Sequence, residues 1–279
     1  MRRGVPAVAL LLAMAACHST SDEPAPPKTA TSPSNAPSAA AARSYVALGD
    51  SFTAGPGITP QRADAGLCQR AEQNWPAVLA ASRDLDVRDV SCTGATTADV
   101  AATVASGAVA ADPDLVTIST GGNDGGLFVG LIRACTTGGD ACRLFVEGQA
   151  PGILDTTTSD LTALLEQVQT AAPAADLVLV GYPRIMPDDG TCDAVRLPAS
   201  DVALAVRAEV ELDQALASAA NRAGVQFISL RTASEGHDAC AGGEAWTNGL
   251  TPATGDGIVF HPNRRGMAAV ADAVAAGLR

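Results

Sequence analysis

The feature that most constrains this chain is an alternation. Across residues 43–279, short runs rich in Val, Leu and Ile are separated by longer Ala-rich stretches with helical periodicity. The short runs fall at 45–48, 87–91, 115–119, 177–181 and 225–230. Such brief apolar runs read as strands, and the continuous run at 115–119 has the composition of one buried on both faces. Between them lie predicted helices over 75–82, 97–104, 127–134, 159–171, 201–223 and 263–278. Asn74 supplies a cap and Pro76 sits in the first turn of the earliest of these. Leu161, Leu164, Leu165 and Val168 share one helix face, and Gly224 ends the long helix. Strands joined through helices form a parallel sheet covered on both faces. The expected fold is therefore α/β, a three-layer α/β/α sandwich with a five-stranded parallel sheet. Functional groups of such sheets gather at the carboxyl ends of the strands.

The first 42 residues belong to a different regime. Arg2 and Arg3 precede an apolar stretch, 5–16, too short to span a bilayer comfortably, which ends in Met14-Ala15-Ala16-Cys17. Two processing routes fit: lipidation of Cys17, as in bacterial lipoprotein signals, or ordinary cleavage near Ala15 or Ala16. Met14 departs from the aliphatic residue usual three places before a lipidated cysteine. Cysteine count favours lipidation. Seven cysteines are odd for an exported chain, and setting Cys17 aside leaves Cys68, Cys92, Cys135, Cys142, Cys192 and Cys240. Six allow three disulfides in an oxidising compartment. Spacing alone does not fix the connectivity; neighbour-to-neighbour pairing (Cys68–Cys92, Cys135–Cys142, Cys192–Cys240) is the expectation, because Cys135 and Cys142 bracket one short loop. Residues 18–42, rich in Pro, Ser, Thr and Ala, lack the apolar side chains to bury a core and read as a tether. The domains are thus 1–17 signal peptide, 18–42 tether and 43–279 globular. The net charge of −12 argues against nucleic acid and against attraction to anionic lipid heads. No cysteine pair has Cys-x-x-Cys spacing, so no metal is expected.

Four motifs carry chemistry. Gly49-Asp50-Ser51-Phe52-Thr53-Ala54-Gly55 follows the first strand, which puts the Ser51 hydroxyl at the sheet edge, flanked by glycines that permit a tight turn. Alone, it fits a capped Ser/Gly turn equally well. Its early position distinguishes it from the Gly-x-Ser-x-Gly elbow of the α/β-hydrolases. Ser91-Cys92-Thr93-Gly94-Ala95-Thr96-Thr97 follows the second strand; Gly94 can expose its N–H to an oxyanion, although a capping turn is the simpler reading of that motif by itself. Gly121-Gly122-Asn123-Asp124 follows the third strand, where the Asn123 amide can donate to developing charge or merely cap a turn. Phe260-His261-Pro262-Asn263 opens the last helix. A serine hydroxyl needs a base to take its proton. The globular region offers His237, in a Gly- and Cys-containing loop, and His261, which is favoured because it can point back over the sheet edge.

In that order (nucleophile, backbone donor, amide donor, base) the four motifs resemble those of the SGNH hydrolases, the GDSL lipase/esterase superfamily. The likeness covers nearly all of residues 43–279 and is nearest to secreted actinobacterial esterases with three disulfides. It implies a flavodoxin-like fold, a secreted or lipid-anchored serine esterase or lipase, and an oxyanion hole of the Ser51 N–H, the Gly94 N–H and the Asn123 side chain. It implies no metal or organic cofactor and a small-molecule or lipid ester as partner; the chain is expected to be a monomer. One position departs from the pattern. The family commonly has Asp three residues before the histidine, and here that residue is Ile258. Either Asp256 reaches His261, or a backbone carbonyl, that of Ile258, accepts from it in a Ser–His dyad; the dyad is the favoured expectation. A carbohydrate O-acetyl esterase or thioesterase of the same fold is the alternative activity, and a non-catalytic cell-surface binding module a remote one. Residues 127–132 follow Asn123 and either line an acyl pocket or form an ordinary amphipathic helix.

Overall fold

A computed structural model describes residues 42–109 and 112–278. The signal peptide expected over 1–17, its Cys17, and all but the last residue of the 18–42 tether lie outside them. The elements in chain order are β1 (Arg43–Gly49), α1 (Ser51–Ala54), α2 (Trp75–Arg83), β2 (Leu85–Asp89), α3 (Thr97–Ala105), β3 (Leu115–Ser119), α4 (Leu127–Thr137), α5 (Ala141–Leu144), α6 (Ala150–Ala171), β4 (Asp176–Val180), α7 (Ala199–Ala223), β5 (Gln226–Ile228) and α8 (Arg264–Gly277).

The five strands form one parallel sheet in the order β2-β1-β3-β4-β5. This is the flavodoxin-like order, and it reverses direction at the border of β1 and β3, where ligands of open α/β sheets bind. The period-two alternation of strand side chains sorts the core. Tyr45 and Ala47 of β1 face a cluster with Trp75 and Leu79 of α2 and Met267, Val270 and Val274 of α8. Val46 and Leu48 face the opposite cluster, with Val100 and Val104 of α3, Leu161, Leu165 and Val168 of α6, and Leu216 of α7. A third apolar cluster lies beyond the carboxyl edge of the sheet, between α4, α7 and the segment after β4.

Several elements differ from their expectation: β2 lies two residues earlier than 87–91, and α5 has no expected counterpart. α6 begins at Ala150 rather than at residue 159. Pro151, Gly152 and Thr156–158 lower the local propensity. Burial of Leu154, Thr157 and Leu161 on one face carries the helix regardless, and the Thr156 and Thr158 hydroxyls bond back to Gly152 O and Leu154 O. β5 is three residues long because its ladder with β4 spans only Val178–Val180. The three disulfides join Cys68 to Cys92, Cys135 to Cys142 and Cys192 to Cys240. Among the described residues no helix is long and apolar enough to cross a membrane.

Candidate active site

Three strand ends build the site. β1 runs into Asp50, whose side chain caps α1 by accepting from Phe52 N–H at 2.9 Å. Ser51 is the first residue of that helical turn, so its N–H is among the donors that a helix start leaves without an intrahelical acceptor. Gly49 must be glycine here, since a Cβ would lie 2.8 Å from Ser119 O and collide with the Thr53 side chain. Across the switch point, Asp50 N–H donates to Ser119 O at 3.0 Å, fastening the ends of β1 and β3 together.

The loop after β2 carries Gly94, exposed and at φ +80, a left-handed conformation that favours glycine. Cys92 N–H donates to Gly49 O at 2.9 Å, and the Cys68–Cys92 disulfide holds the loop from its other side. The loop after β3 carries Asn123, whose Nδ2 donates to Ala95 O at 3.1 Å. An amide nitrogen bears two hydrogens, so one remains for a ligand. The neighbouring Asp124 carboxylate, buried, accepts from Thr97 N–H at 2.7 Å and from the Thr97 hydroxyl at 2.6 Å, bolting the Asn123 loop to the start of α3. No local pattern marks that bond, which spans 27 residues.

His261 arrives from the far end of the chain. Its Nε2 lies 2.9 Å from Ser51 Oγ, across 210 residues of sequence. Its Nδ1 lies 2.8 Å from the carbonyl oxygen of Val259. A carbonyl only accepts, so the proton sits on Nδ1 and the Nε2 lone pair faces the serine hydroxyl. Burial among Phe52 and Phe128 pushes the imidazole pKa below its ordinary value, opposed by the Val259 bond, and favours the neutral base.

This geometry corrects both expectations about the group behind the histidine. The Asp256 carboxylate accepts from Arg264 N–H at 2.7 Å at the start of α8 and is committed there. The Ile258 carbonyl accepts the His261 backbone N–H at 3.3 Å, not the ring. Phe260 adopts φ +55, and this left-handed step turns the carbonyl two residues back, rather than three, toward the ring. The other histidine, His237, is remote: its Nδ1 bonds to Glu244 O at 2.8 Å and its ring stacks on Trp246.

A model of the GDSL-like lipase/acylhydrolase family matches residues 47–269. Lipase 2 of Streptomyces coelicolor is 33% identical over 251 residues, covering 82% of this chain and 83% of the relative. The Streptomyces rimosus lipase is 32% identical over 228 residues, 81% of this chain and 83% of its own. This chain belongs to the GDSL-like lipase/acylhydrolase family. The crystal structure of the S. rimosus extracellular lipase superposes with a TM-score of 0.76 at 30% identity, covering 85% of this chain and all of that one. That of phospholipase A1 from Streptomyces albidoflavus superposes equally well, at 29% identity. The chain is a carboxylic ester hydrolase; the S. rimosus relative is an extracellular lipase, and the three disulfides of this chain fit an oxidising compartment.

In this hydrolase, an apolar pocket opens beside Ser51 and Asn123. Leu127, Phe128, Leu131 and Ile132 of α4 form one wall, Ile185, Met186 and Leu197 another, and Ala205 and Ala208 of α7 complete the lining. The 127–132 segment thus combines both roles weighed for it, an amphipathic helix whose inner face is pocket wall. Gly94 does not line this pocket; it borders a separate depression with Cys68, Cys92 and Asp99. Sequence reasoning did not reach Tyr182, Glu209 or Arg231, which also line the pocket from strand ends and α7 and sit in no recognisable motif. Among the described residues no group of three or more His, Cys, Asp or Glu side chains is arranged to hold a metal.

Proposed function

We propose that the protein hydrolyses carboxylic esters with lipid-like acyl chains through an acyl-enzyme on Ser51, using a Ser51–His261 dyad. The observation that carries this reading is the unbroken line from Ser51 Oγ to His261 Nε2 at 2.9 Å and from Nδ1 to Val259 O at 2.8 Å. His261 Nε2 takes the hydroxyl proton as Ser51 Oγ attacks the ester carbonyl carbon. The Ser51 N–H, the Gly94 N–H and the free hydrogen of the Asn123 amide receive the oxyanion. The tetrahedral intermediate collapses, the C–O bond to the alcohol breaks, and Nε2–H protonates the departing oxygen. Water then attacks the acyl-enzyme by the same route, returning Ser51 and releasing the acid. The imidazolium formed in each step leans on the neutral Val259 carbonyl, which stabilises it less than a carboxylate does.

The apolar walls between α4, α7 and residues 185–197 support an acyl chain longer than acetyl. The lipase and phospholipase A1 activities of the relatives point the same way. The mature chain is a monomer, anchored through a lipidated Cys17 at the end of a lipoprotein signal (1–17), with 18–42 holding the catalytic domain (43–279) off the membrane. A p-nitrophenyl ester series from acetate to palmitate tests the activity. The expected outcome is turnover that rises beyond acetate and is abolished in Ser51→Ala and in His261→Ala. Turnover of acetate alone supports the O-acetyl esterase reading instead, and an active Ser51→Ala refutes the acyl-enzyme. Intact-mass analysis of the mature N-terminus tests the lipid on Cys17.

A further inference from the structure

A half-buried hydrogen-bonded chain lies beside the dyad and has no part in the acyl-transfer scheme. Tyr182 is the second residue beyond β4. Its hydroxyl donates to Asp50 Oδ2 at 2.6 Å and accepts from Gly122 N–H at 3.0 Å. The other oxygen of Asp50 accepts from Phe52 N–H at 2.9 Å. One phenol oxygen therefore joins the turn that presents Ser51 to the loop that presents Asn123. The ring is held on both sides. It meets Phe52 edge-on, with centroids 5.1 Å apart at 90°. Gly122 lies so close that a Cβ there would be 3.2 Å from the phenol carbon and oxygen.

The chain has a physical cost that a purely structural link does not need. Asp50 is 1% exposed, and burial pushes its carboxyl up to about 7 even with two donors on it. An apolar contact would join the loops without burying an acid. What hydrogen bonds add is direction: the two loops are fixed in rotation as well as in distance. An oxyanion hole needs that, because its donors work only when aimed in advance at where charge develops.

We propose that Tyr182 is a positioning residue for the oxyanion hole, its hydroxyl locking the Ser51 turn and the Asn123 loop into one frame. The proposal rests on the roles given above to Ser51 and Asn123. Tyr182→Phe keeps the ring and its packing and removes only the link. The expected result is a fall in kcat of roughly 10- to 100-fold, up to the loss of about 100-fold at which misplacing a group or losing one donor begins. KM should stay near the wild-type value, and the fall should be equal for acetate and for long-chain esters.

A cycle with Asn123→Ala gives a readout that a merely structural role would not move. If Tyr182 acts by aiming Asn123, the double variant is little slower than Asn123→Ala alone; factors that multiply overturn the proposal. A loss confined to long acyl chains marks Tyr182 as pocket wall only and also overturns it. If Tyr182→Phe does not fold, Asp50→Ala replaces it. Alanine leaves the Tyr182 hydroxyl with no side chain to bond on the Ser51 turn, and the same fall in kcat is expected. Wild-type kcat in whichever of the two variants folds refutes the idea. Ser51→Ala is assayed alongside. If it is inactive while Tyr182→Phe is fully active, this proposal alone fails; if Ser51→Ala is active, the acyl-enzyme reading fails with it.

Discussion

Asp256 is the residue on which the dyad stands or falls. It is an acid five positions before the histidine, and its only side-chain partner among the described residues is the Arg264 N–H at 2.7 Å. Asparagine at 256 keeps a carbonyl oxygen for that bond, so Asp256→Asn should change stability little. Alanine removes the bond and should cost about 1 kcal/mol, the usual worth of a side-chain acceptor at a helix start. For a domain of this size that shifts the melting temperature by roughly 2–4 °C. Neither change touches His261 Nδ1, which the Val259 carbonyl holds. Both variants should therefore retain kcat/KM on p-nitrophenyl butyrate within about threefold, because no transition-state contact is lost. Were Asp256 the orienting acid, Asp→Asn would cost about 10⁴ in kcat, or ~5 kcal/mol of transition-state stabilisation. The two outcomes differ by more than three orders of magnitude. Steady-state kinetics with a melting curve on the same sample separates them. A loss of about 100-fold or more in Asp256→Asn, with the fold intact, would refute the reading. Val259→Ala is the matching control: it trims the side chain, leaves the carbonyl, and should be nearly silent.

Three further outcomes follow from the site. Activity requires neutral His261, whose pKa burial holds below the ordinary 6.5, so kcat/KM should rise with pH along an acid limb whose midpoint lies below 6.5 and be flat above it; a midpoint above 7 contradicts the buried setting. Ala208→Phe fills the pocket between α4 and α7, and should cut palmitate ester hydrolysis at least about tenfold while sparing acetate; equal losses on both would show that acyl chains bind elsewhere. Replacing Cys68 and Cys92 together by Ala opens a 24-residue separation, worth roughly 3.5 kcal/mol of stability in the loop-entropy account. It should also lower kcat, because the Gly94 loop loses its covalent anchor; unchanged kcat in the folded variant would separate that loop from the oxyanion hole.

Much of the architecture was legible from pattern. The strand runs at 115–119 and 177–181, the Asn74 cap and the Gly224 stop are local signals, and each is found within a residue or so of its expected place. Helix α6 was legible only in its second half. Its first turns contain Pro, Gly and threonines that local propensity reads as non-helical, and the contacts that override them come from distant segments.

Ser51, Gly94, Asn123 and His261 could be singled out because each is a distinctive residue type at the edge of a recognisable element. Their neighbours could not. The acceptor behind His261 is a main-chain oxygen, and every residue has one, so side-chain identity marks neither Val259 nor Ile258. The choice between them is made by a left-handed backbone step at a buried phenylalanine. Tyr182 and Asp124 act across 132 and 27 residues, through bonds whose partners become neighbours only when strands that are not consecutive pair in the sheet. Periodicity, caps and residue type are short-range properties, so the local pattern marked most strands, the long helices and the side chains able to do chemistry, but not α5 or the first turns of α6. The tertiary structure alone decided what aims those side chains, because hydrogen-bond direction is set by backbone turns and by the order of strands.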